Sequence, residues 1–297
     1  MYRLDRPISV ICRAKLNLVL EITGKRPDGY HDLATLMHPI GLADELTILP
    51  GEAGLRLERS GLPSPAGEGN VAYRAAQAFS EASGIAPSVT LHLYKRIPAE
   101  AGLGGGSADA AGVLRGLATL RGWPRDDPRL AEIARSLGAD VPFFLSRGAA
   151  LAEGLGERLT PLPPARFACV LAIAAPGVST GWAYSQVRPE HHTDGARARR
   201  AAQALRRRGR VHETWNGFEA ALASARPDLR ALIERVRDLV KGPSGLTGSG
   251  SGVFGLVEDE LRAGQVGTLL AQAGYWAWWG HSAAEPISVQ TGGDGAS

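Results

Sequence analysis

Pro98-Ala99-Glu100-Ala101-Gly102-Leu103-Gly104-Gly105-Gly106-Ser107-Ala108-Asp109 joins two segments of different hydrophobic period. Before it, Ser88 to Ile97 alternates through Val89, Leu91, Leu93 and Ile97, the pattern of a strand with one buried face. After it, Ala110, Ala111, Leu114, Leu117 and Leu120 recur at helical spacing, so the glycines lie at the N-terminus of a buried helix. Gly102 to Ser107 then presents successive backbone N–H groups at the positive end of a helix dipole, with no Cβ to obstruct a ligand. That is a phosphate cradle. It is not a Walker A loop, because no Lys-Ser/Thr pair follows the glycines, and Ser107 breaks the G-x-G-x-x-G spacing. Read alone, the segment is equally a tight turn with Ser107 as the helix cap.

Upstream, Ile8 to Ile22 alternates, with Ile8, Val10, Cys12, Ala14, Leu16, Leu18, Leu20 and Ile22 on one face. Lys15 and Asn17 fall side by side on the polar face, directed away from the core. Arg26-Pro27-Asp28-Gly29-Tyr30-His31 follows as a loop, and Asp44 to Leu49 and Leu55 to Glu58 read as short strands. A Pro/Gly-rich loop over Gly61 to Gly69 leads to a helix from Val71 to Ser80. A helix from Pro128 to Leu137 stops at Gly138, and the chain is expected to be extended at Asp140-Val141-Pro142.

Pro161-Leu-Pro-Pro164 is the candidate boundary between units at 1–160 and 165–284, with 285–297 as a flexible tail, frayed over Gly292 to Ser297. The second unit reads as a strand over Phe167 to Ala175 and helices over Arg197 to Arg207, Thr214 to Ser224 and Asp228 to Val240. The loop Leu246-Thr247-Gly248-Ser249-Gly250-Ser251-Gly252 follows, then strand Val253 to Val257, helix Asp259 to Ala273 and a Trp-rich strand over Tyr275 to Gly280. The arrangement is α+β rather than strict βαβ alternation.

Composition narrows the function. The chain has 297 residues, a net charge of +3 and 21% charged residues, which favours neither an acidic solvated polymer nor a strongly basic nucleic-acid binder. Two cysteines, Cys12 and Cys169, cannot build a disulfide framework, so a reducing compartment is expected. The N-terminus, with Arg3, Asp5, Arg6 and Arg13 around a short apolar run, lacks the look of a signal peptide. The longest apolar run, Phe167 to Ala175, is about half a membrane span. A soluble cytoplasmic protein with no membrane or nucleic-acid partner is the expectation.

Single residues leave choices open. Asp140 is a turn or cap aspartate and Lys15 a solvated lysine, or together they form an acid/base pair that accepts a hydroxyl proton and steadies the alkoxide. Tyr30-His31 is a turn with a partly packed tyrosine, or a platform that stacks a base and hydrogen-bonds it. Gly248 to Gly252 alone reads as a hairpin turn. His191-His192 stand away from carboxylates or cysteines at ligand spacing, and the arginine run from Arg197 to Arg210 reads as a solvated helix face.

Ala14-Lys-Leu-Asn-Leu18, Arg26 to His31, Pro98 to Ala111, Gly138-Ala-Asp-Val-Pro142 and Leu246 to Gly252 occur in the order found in the GHMP small-molecule kinases, which the chain resembles. The Arg-Pro-Asp-Gly-Tyr-His segment is similar to that of members whose substrate carries a cytidine diphosphate. The resemblance implies a two-domain GHMP kinase fold: a ribosomal protein S5 domain 2-like N-terminal domain and a ferredoxin-like C-terminal domain. It also implies ATP as co-substrate, Mg²⁺ arriving with the nucleotide, a small cytidine-diphosphate substrate and a monomer or homodimer.

By motif position, Asp140 would be the catalytic base and Lys15 its charged partner. Pro98, Ala99, Glu100, Ala101, Gly102, Leu103, Gly104, Gly105, Gly106 and Ser107 would hold ATP, bordered by Asn70 and Lys95. Asn17, Tyr30, His31 and Asp140, with Lys95 close by, would line the substrate side, and Thr247, Gly248 and Ser249 would close it from the second domain. Arg13 stands where the family usually has Pro, and neither the arginine run nor Tyr275-Trp-Ala-Trp-Trp279 follows a family pattern; a packed edge strand is expected for the latter. The rival readings are a GHMP kinase for homoserine, mevalonate or a sugar, a catalytically silent nucleotide-binding regulator, or a nucleic-acid binder acting through the arginine run.

Overall fold

The computed structural model describes residues 7–51, 54–86 and 88–291. Its frame is a long antiparallel hairpin of β1 (Ile8–Lys25) and β2 (His31–Pro50), in register from Ile8 opposite Ile48 to Lys25 opposite His31. Register shifts between Arg13 and Lys15 and between Asn17 and Val19 interrupt the ladder where the two polar site residues lie. Bulges of this kind re-aim side chains.

The strands β3 (Gly54–Gly61) and β4 (Ser88–Lys95), with helix α1 (Val71–Ser83) between them, extend the sheet beyond β2. Helices α2 (Gly105–Leu120), α3 (Pro128–Leu137) and α4 (Val141–Leu145) follow, then strands β5 (Ala150–Gly154) and β6 (Arg158–Pro161), which hang from β2. Apolar side chains of α1 to α4 pack on one face of this sheet, around Val10, Leu46, Leu91, Leu114, Phe143 and Phe144.

The chain then builds β7 (Ala168–Ile173), α5 (Thr180–Ser185), α6 (Ala196–Arg208), β8 (Trp215–Asn216), α7 (Gly217–Leu222) and α8 (Pro227–Val240). The remaining elements are β9 (Ser244–Leu246), β10 (Gly252–Val257), α9 (Glu260–Gln272), β11 (Trp276–His281) and β12 (Ile287–Thr291). A four-stranded sheet in the order β11-β7-β10-β9 forms the second layer, with α8 and α9 against it. Leu16, Leu18, Leu36, Ile40, Leu171 and Phe254 join the two sheets in a shared core. This is the α+β, two-sheet architecture expected, with the Trp-rich β11 at a sheet edge. Among the described residues no helix is long and apolar enough to cross a membrane.

The structure corrects several sequence expectations. Strand β2 begins at His31, thirteen residues before Asp44, because Ala34 to Ile40 is buried without interruption and shows no alternation. Both faces of that stretch are covered, by the helices and by the second sheet, so period 2 is erased. Val141-Pro142 is helical, not extended: Asp140 is the N-cap of α4 with φ −84° and ψ −16°. A proline in a first helical turn costs no hydrogen bond, because that N–H has no intrahelical acceptor.

Helix α2 starts at Gly105 with Gly104 as its N-cap, so Ser107 is not the cap. The expected helix over Thr214 to Ser224 is instead β8, paired in parallel with Val19 and Leu20, followed by the short α7. Residues 287–291 of the expected tail form β12 on the edge of β1. The frayed end expected at Gly292 to Ser297 and the N-terminal charges Arg3, Asp5 and Arg6 lie outside the described residues.

Candidate active site

A cleft of about 1200 Å³ opens between the first sheet with its glycine loop and the α5, α7 and β9–β10 loop segments. Its floor is the segment from Pro98 to Ser107. Gly102 and Gly104 have φ of +69° and +72°, and the space around them is closed: a Cβ on Gly104 would lie 2.8 Å from the Phe144 ring, and one on Gly105 2.9 Å from Ile97. Gly106 is the open one, with nothing nearer than 3.9 Å, and it faces solvent. Ala108 N–H returns to Gly104 O at 2.9 Å, which leaves the N–H groups of Gly105, Gly106 and Ser107 without intrahelical acceptors at the start of a sixteen-residue helix. An anion is the complement of that array.

Lys15 enters from β1. Its bulged backbone N–H bonds Leu103 O at 3.0 Å, tying strand to loop. The buried ammonium donates to Gly102 O at 2.8 Å and to Asn17 Oδ1 at 2.5 Å, and stands 3.5 Å from Asp140 Oδ2. Three protons thus have three acceptors, which fixes the direction of each. Burial pulls the Lys15 ammonium below its usual value, and the Asp140 carboxylate opposes the shift.

Asn17 Nδ2 donates to Thr35 Oγ1 at 2.8 Å, and Thr35 donates in turn to Val19 O at 2.8 Å. The polar face of β1 is therefore not solvated: Lys15 and Asn17 are each 3% exposed, packed against the Gly102–Leu103 loop, Thr35 and Thr247. Asp140 is the exception. Its carboxylate makes no capping hydrogen bond and its side chain is 37% exposed toward the cleft.

The expected aromatic platform is split. Tyr30 is 66% exposed at the mouth, held by an Asp28 turn in which Asp28 Oδ1 accepts Tyr30 N–H at 3.2 Å. His31 is buried, and Tyr184 stacks on it with centroids 5.0 Å apart and planes at 18°. Burial, helped by Lys25 and His192, lowers the His31 pKa, so the ring is neutral at pH 7 with one donor and one acceptor. Burial pushes the Tyr184 phenol up to about 12, with Asp140 adding to the shift.

Other expected contacts turn out to be committed elsewhere. Asn70 caps α1, its Oδ1 accepting Ala72 N–H and its Nδ2 donating to Pro65 O, both at 2.9 Å. Lys95 is buried under the loop, its ammonium shared between Asp44 and Asp109, and it borders the cleft from behind. Thr247 is fully buried; its Oγ1 accepts Asn17 N–H at 3.0 Å and donates to Gly102 O at 3.3 Å. Gly248 and Ser249 line the cleft, with Ser249 Oγ 3.3 Å from Thr180 Oγ1.

Sequence reasoning missed Asp44, Thr35, Tyr184 and Asn216. Asp44 Oδ1 accepts the N–H groups of Arg96 and Ile97 at 2.6 and 2.9 Å, which fixes the chain where it enters the loop. Asn216 Nδ2 donates to Leu246 O and Gly248 O at 2.8 and 2.9 Å, holding the opposite wall. Asp109 stood inside the quoted motif and signalled nothing until Lys95 was found beside it. Tyr184 lies in a segment without periodicity, so its sequence carried no sign of its role.

The arginine run lies on α6, which buries Ala198, Ala202 and Leu205 and turns its guanidinium groups outward. Arg197 pairs with Glu213 and Arg199 with Glu153, both at 3.0 Å. None of these arginines lines the cleft.

The family models for the N-terminal and C-terminal domains of GHMP kinases match residues 70–148 and 191–275. A 4-diphosphocytidyl-2-C-methyl-D-erythritol kinase of Deinococcus radiodurans is 42% identical over 94% of this chain and 94% of its own length. The enzyme of that name from Symbiobacterium thermophilum is 39% identical over 87% of this chain and 94% of its own. A crystal structure of 4-(cytidine 5'-diphospho)-2C-methyl-D-erythritol kinase superposes with a TM-score of 0.80 at 39% identity, covering 92% of this chain and 98% of that one. A homoserine kinase structure from Cytophaga hutchinsonii, at 18% identity and a TM-score of 0.65, shares the fold over 98% of this chain and 99% of that one.

Proposed function

The chain belongs to the 4-diphosphocytidyl-2-C-methyl-D-erythritol kinases of the GHMP kinase family, and from that premise we propose the following reaction. The γ-phosphate of ATP passes to the C2 hydroxyl of 4-diphosphocytidyl-2-C-methyl-D-erythritol, giving the 2-phosphate and ADP, in non-mevalonate isoprenoid biosynthesis. The observation that carries this reading is Asp140: an uncapped, half-exposed carboxylate 3.5 Å from a buried lysine, facing a phosphate cradle in the same cleft.

In the reaction the C2 oxygen attacks the γ-phosphorus and its proton passes to Asp140. The bond to the β,γ-bridging oxygen breaks, and that oxygen keeps the electron pair and leaves with ADP. Lys15, fixed by its three acceptors, lies against Asp140 and neutralises charge at the transferred group. The N–H groups of Gly105, Gly106 and Ser107 hold the nucleotide phosphates, with Pro98 to Leu103 as the wall behind them. Asn70 and Lys95 border the nucleotide from the structural positions they occupy. Asn17 and Gly248-Ser249 shape the substrate side, and Thr247 braces it.

Tyr30 covers the cytosine ring at the mouth and the neutral His31 hydrogen-bonds its edge, with Tyr184 keeping the imidazole in plane. A site built to pair such an edge rejects acceptors that lack it. A divalent ion fits only in part: among the described residues no three His, Cys, Asp or Glu side chains lie together, so Mg²⁺ would be held mainly by phosphate oxygens and water, with Ser107 Oγ in the cleft lining as the protein ligand. When bound, the ion neutralises the phosphates. The proposal also holds two domains at 1–160 and 165–284, with β8 of the second unit and β12 of the following segment added to the first sheet. It further holds a cytoplasmic monomer or homodimer with no nucleic-acid partner.

The test is ADP release from Mg·ATP with the cytidine substrate, mevalonate, homoserine and galactose, for wild type and Asp140→Asn. Turnover of the cytidine substrate alone, with a loss of about a hundredfold or more in the variant, upholds substrate and base together. Turnover of another acceptor instead moves the chain to a different GHMP activity. Nucleotide binding without turnover of any acceptor leaves a regulator.

A further inference from the structure

A second cavity, of about 270 Å³, lies away from the cleft and shares none of its lining residues. It is enclosed by the C-terminal half of α2, the segment around Trp123 and Arg125, and the start of β12. Arg115 projects into it from α2, eight residues beyond Ser107 and so about 12 Å along the helix from the phosphate cradle.

Arg115 is only 7% exposed, and among the described residues no carboxylate pairs with it. Its guanidinium donates to two backbone carbonyls, Arg125 O and Leu145 O, the latter at 2.8 Å. Of five N–H donors that leaves three unassigned, on a guanidinium that lines the cavity. Buried charges are ordinarily paired, and a neutral carbonyl does not discharge one. Burial lowers the Arg115 pKa to about 10, with Arg125 and Arg147 adding as like charges and Glu285 and Asp126 opposing them.

The rest of the wall tells what would fit. Arg125 lines the cavity and reaches Glu285 at 3.2 Å, both side chains being 39% exposed. The Ser288 hydroxyl lines it as well, accepting from Arg13 at 2.6 Å and donating to Glu285 Oε1 at 3.3 Å, a bond it would exchange for the anion. Glu285 is the one carboxylate in the lining, against Arg115 and Arg125 in the wall and Arg13 behind it. Forked guanidinium donors beside a hydroxyl match the tetrahedral oxygens of a phosphoryl group, with which arginine bonds in bidentate fashion.

We propose that this cavity is a binding site for a phosphoryl oxyanion, either free or as the phosphate or diphosphate end of a small metabolite. The anion gives Arg115 the close ion pair that Glu285 and Asp126 do not make with it, and Arg125 turns from Glu285 to meet it. Trp123, Ile287 and Val289 give the remaining wall, which accepts an apolar substituent on the phosphoryl group.

The test is calorimetric titration of pyrophosphate, inorganic phosphate and butyl phosphate into the full chain with the cradle already filled by ADP. One further site is expected. Arg125→Glu should weaken it at least about tenfold, and Glu285→Gln should tighten it severalfold, because one removes a cation and the other a competing anion. ADP affinity and unfolding temperature should stay unchanged in both variants, which separates loss of the site from loss of the fold. Binding of inorganic phosphate as tightly as pyrophosphate assigns a single phosphoryl group; tighter binding of butyl phosphate assigns an esterified one. No heat once ADP is bound, or equal affinity in wild type and Arg125→Glu, overturns the proposal.

Discussion

Gly102 and Gly248 meet backbone to backbone: a Cβ on Gly248 would stand 2.8 Å from the Gly102 Cα, and one on Gly102 would stand 2.0 Å from the Thr247 carbonyl oxygen. Both residues have positive φ, +69° and +54°. The glycine loop of the first sheet and the β9–β10 loop of the second are therefore pressed together with no room for side chains. Further bonds cross the same seam, from Ser251 N to Glu100 O at 3.1 Å and from Gly252 N to Ala101 O at 3.2 Å.

Gly102→Ala must part this seam or break the turn. We expect a stability loss of about 2 kcal/mol or more, measured by urea unfolding, with ATP binding weakened at least about tenfold. Gly106→Ala is the control, since its Cβ meets nothing nearer than 3.9 Å and it lies in helical backbone. It should unfold within about 0.5 kcal/mol of wild type. Equal stability of the two variants would remove the seam as the reason for Gly102.

Beneath the cradle, one ammonium faces two carboxyl groups. Lys95 Nζ lies 2.6 Å from Asp109 Oδ2 and also bonds Asp44 Oδ2, all three side chains being buried. Burial by itself would lower Lys95, but Asp109 and Asp44 outweigh it and hold it above its usual value; burial pushes the Asp109 carboxyl up. Asp109 Oδ1 has no partner, and with its pKa pushed up to about 8 the carboxyl is largely protonated at pH 7, so the ammonium faces one carboxylate and one neutral acid. Lys95→Met would leave two unpaired acids and should cost about 3–5 kcal/mol. Asp109→Asn replaces that neutral acid by a neutral amide and should lie within about 1 kcal/mol of wild type. Unfolding curves at pH 7 decide it, and a large loss in Asp109→Asn would show that the second carboxyl group is required.

Asn17 is the residue that aims Lys15. It takes one of the three ammonium protons and is itself held by Thr35. Asn17→Leu frees the lysine to swing toward Asp140 or away from it. We expect kcat to fall about tenfold or more while ATP affinity holds, because the cradle N–H groups are untouched. Steady-state kinetics with ATP titration separate the two; a change in ATP affinity alone would place Asn17 with the nucleotide.

How much of this the sequence disclosed depends on where the physics is local. The cradle was legible because a change of period from strand to helix across a glycine run is a property of consecutive residues. The kinase chemistry was legible through motif order. What stayed hidden needs contacts between distant segments: Asp44 reads as one polar position in an alternating strand until Lys95 and Asp109 close on it. Strand β2 was underread at Ala34 to Ile40 because burial on both faces leaves no pattern, and Asp140 was misjudged because Pro142 favours extended neighbours except in a first helical turn. Tyr184 became a site residue only by stacking on His31 across 153 positions of chain.

His38 supplies a pH dependence whose sign follows from its hydrogen bonds. It is fully buried; Ala165 N–H donates to Nε2 at 2.8 Å, and Nδ1 lies 2.8 Å from Pro39 O. Nε2 must therefore be an acceptor and Nδ1 the donor, which is the neutral ring. Burial pushes the folded-state pKa down to about 4, against an ordinary value of 6.5 in the unfolded chain. Between those values the unfolded chain binds the proton and the folded one does not, so stability rises with pH. The contribution is fully present above pH 6.5 and is lost as pH falls toward 4. From pH 7 to pH 5 the loss amounts to about 2 kcal/mol. His38→Gln should unfold more easily at pH 7, since the Ala165 N–H loses its acceptor, but should show a flatter dependence over this range. Urea unfolding at pH 7, 6 and 5 checks it: parallel slopes for wild type and variant would assign the acid sensitivity to other groups.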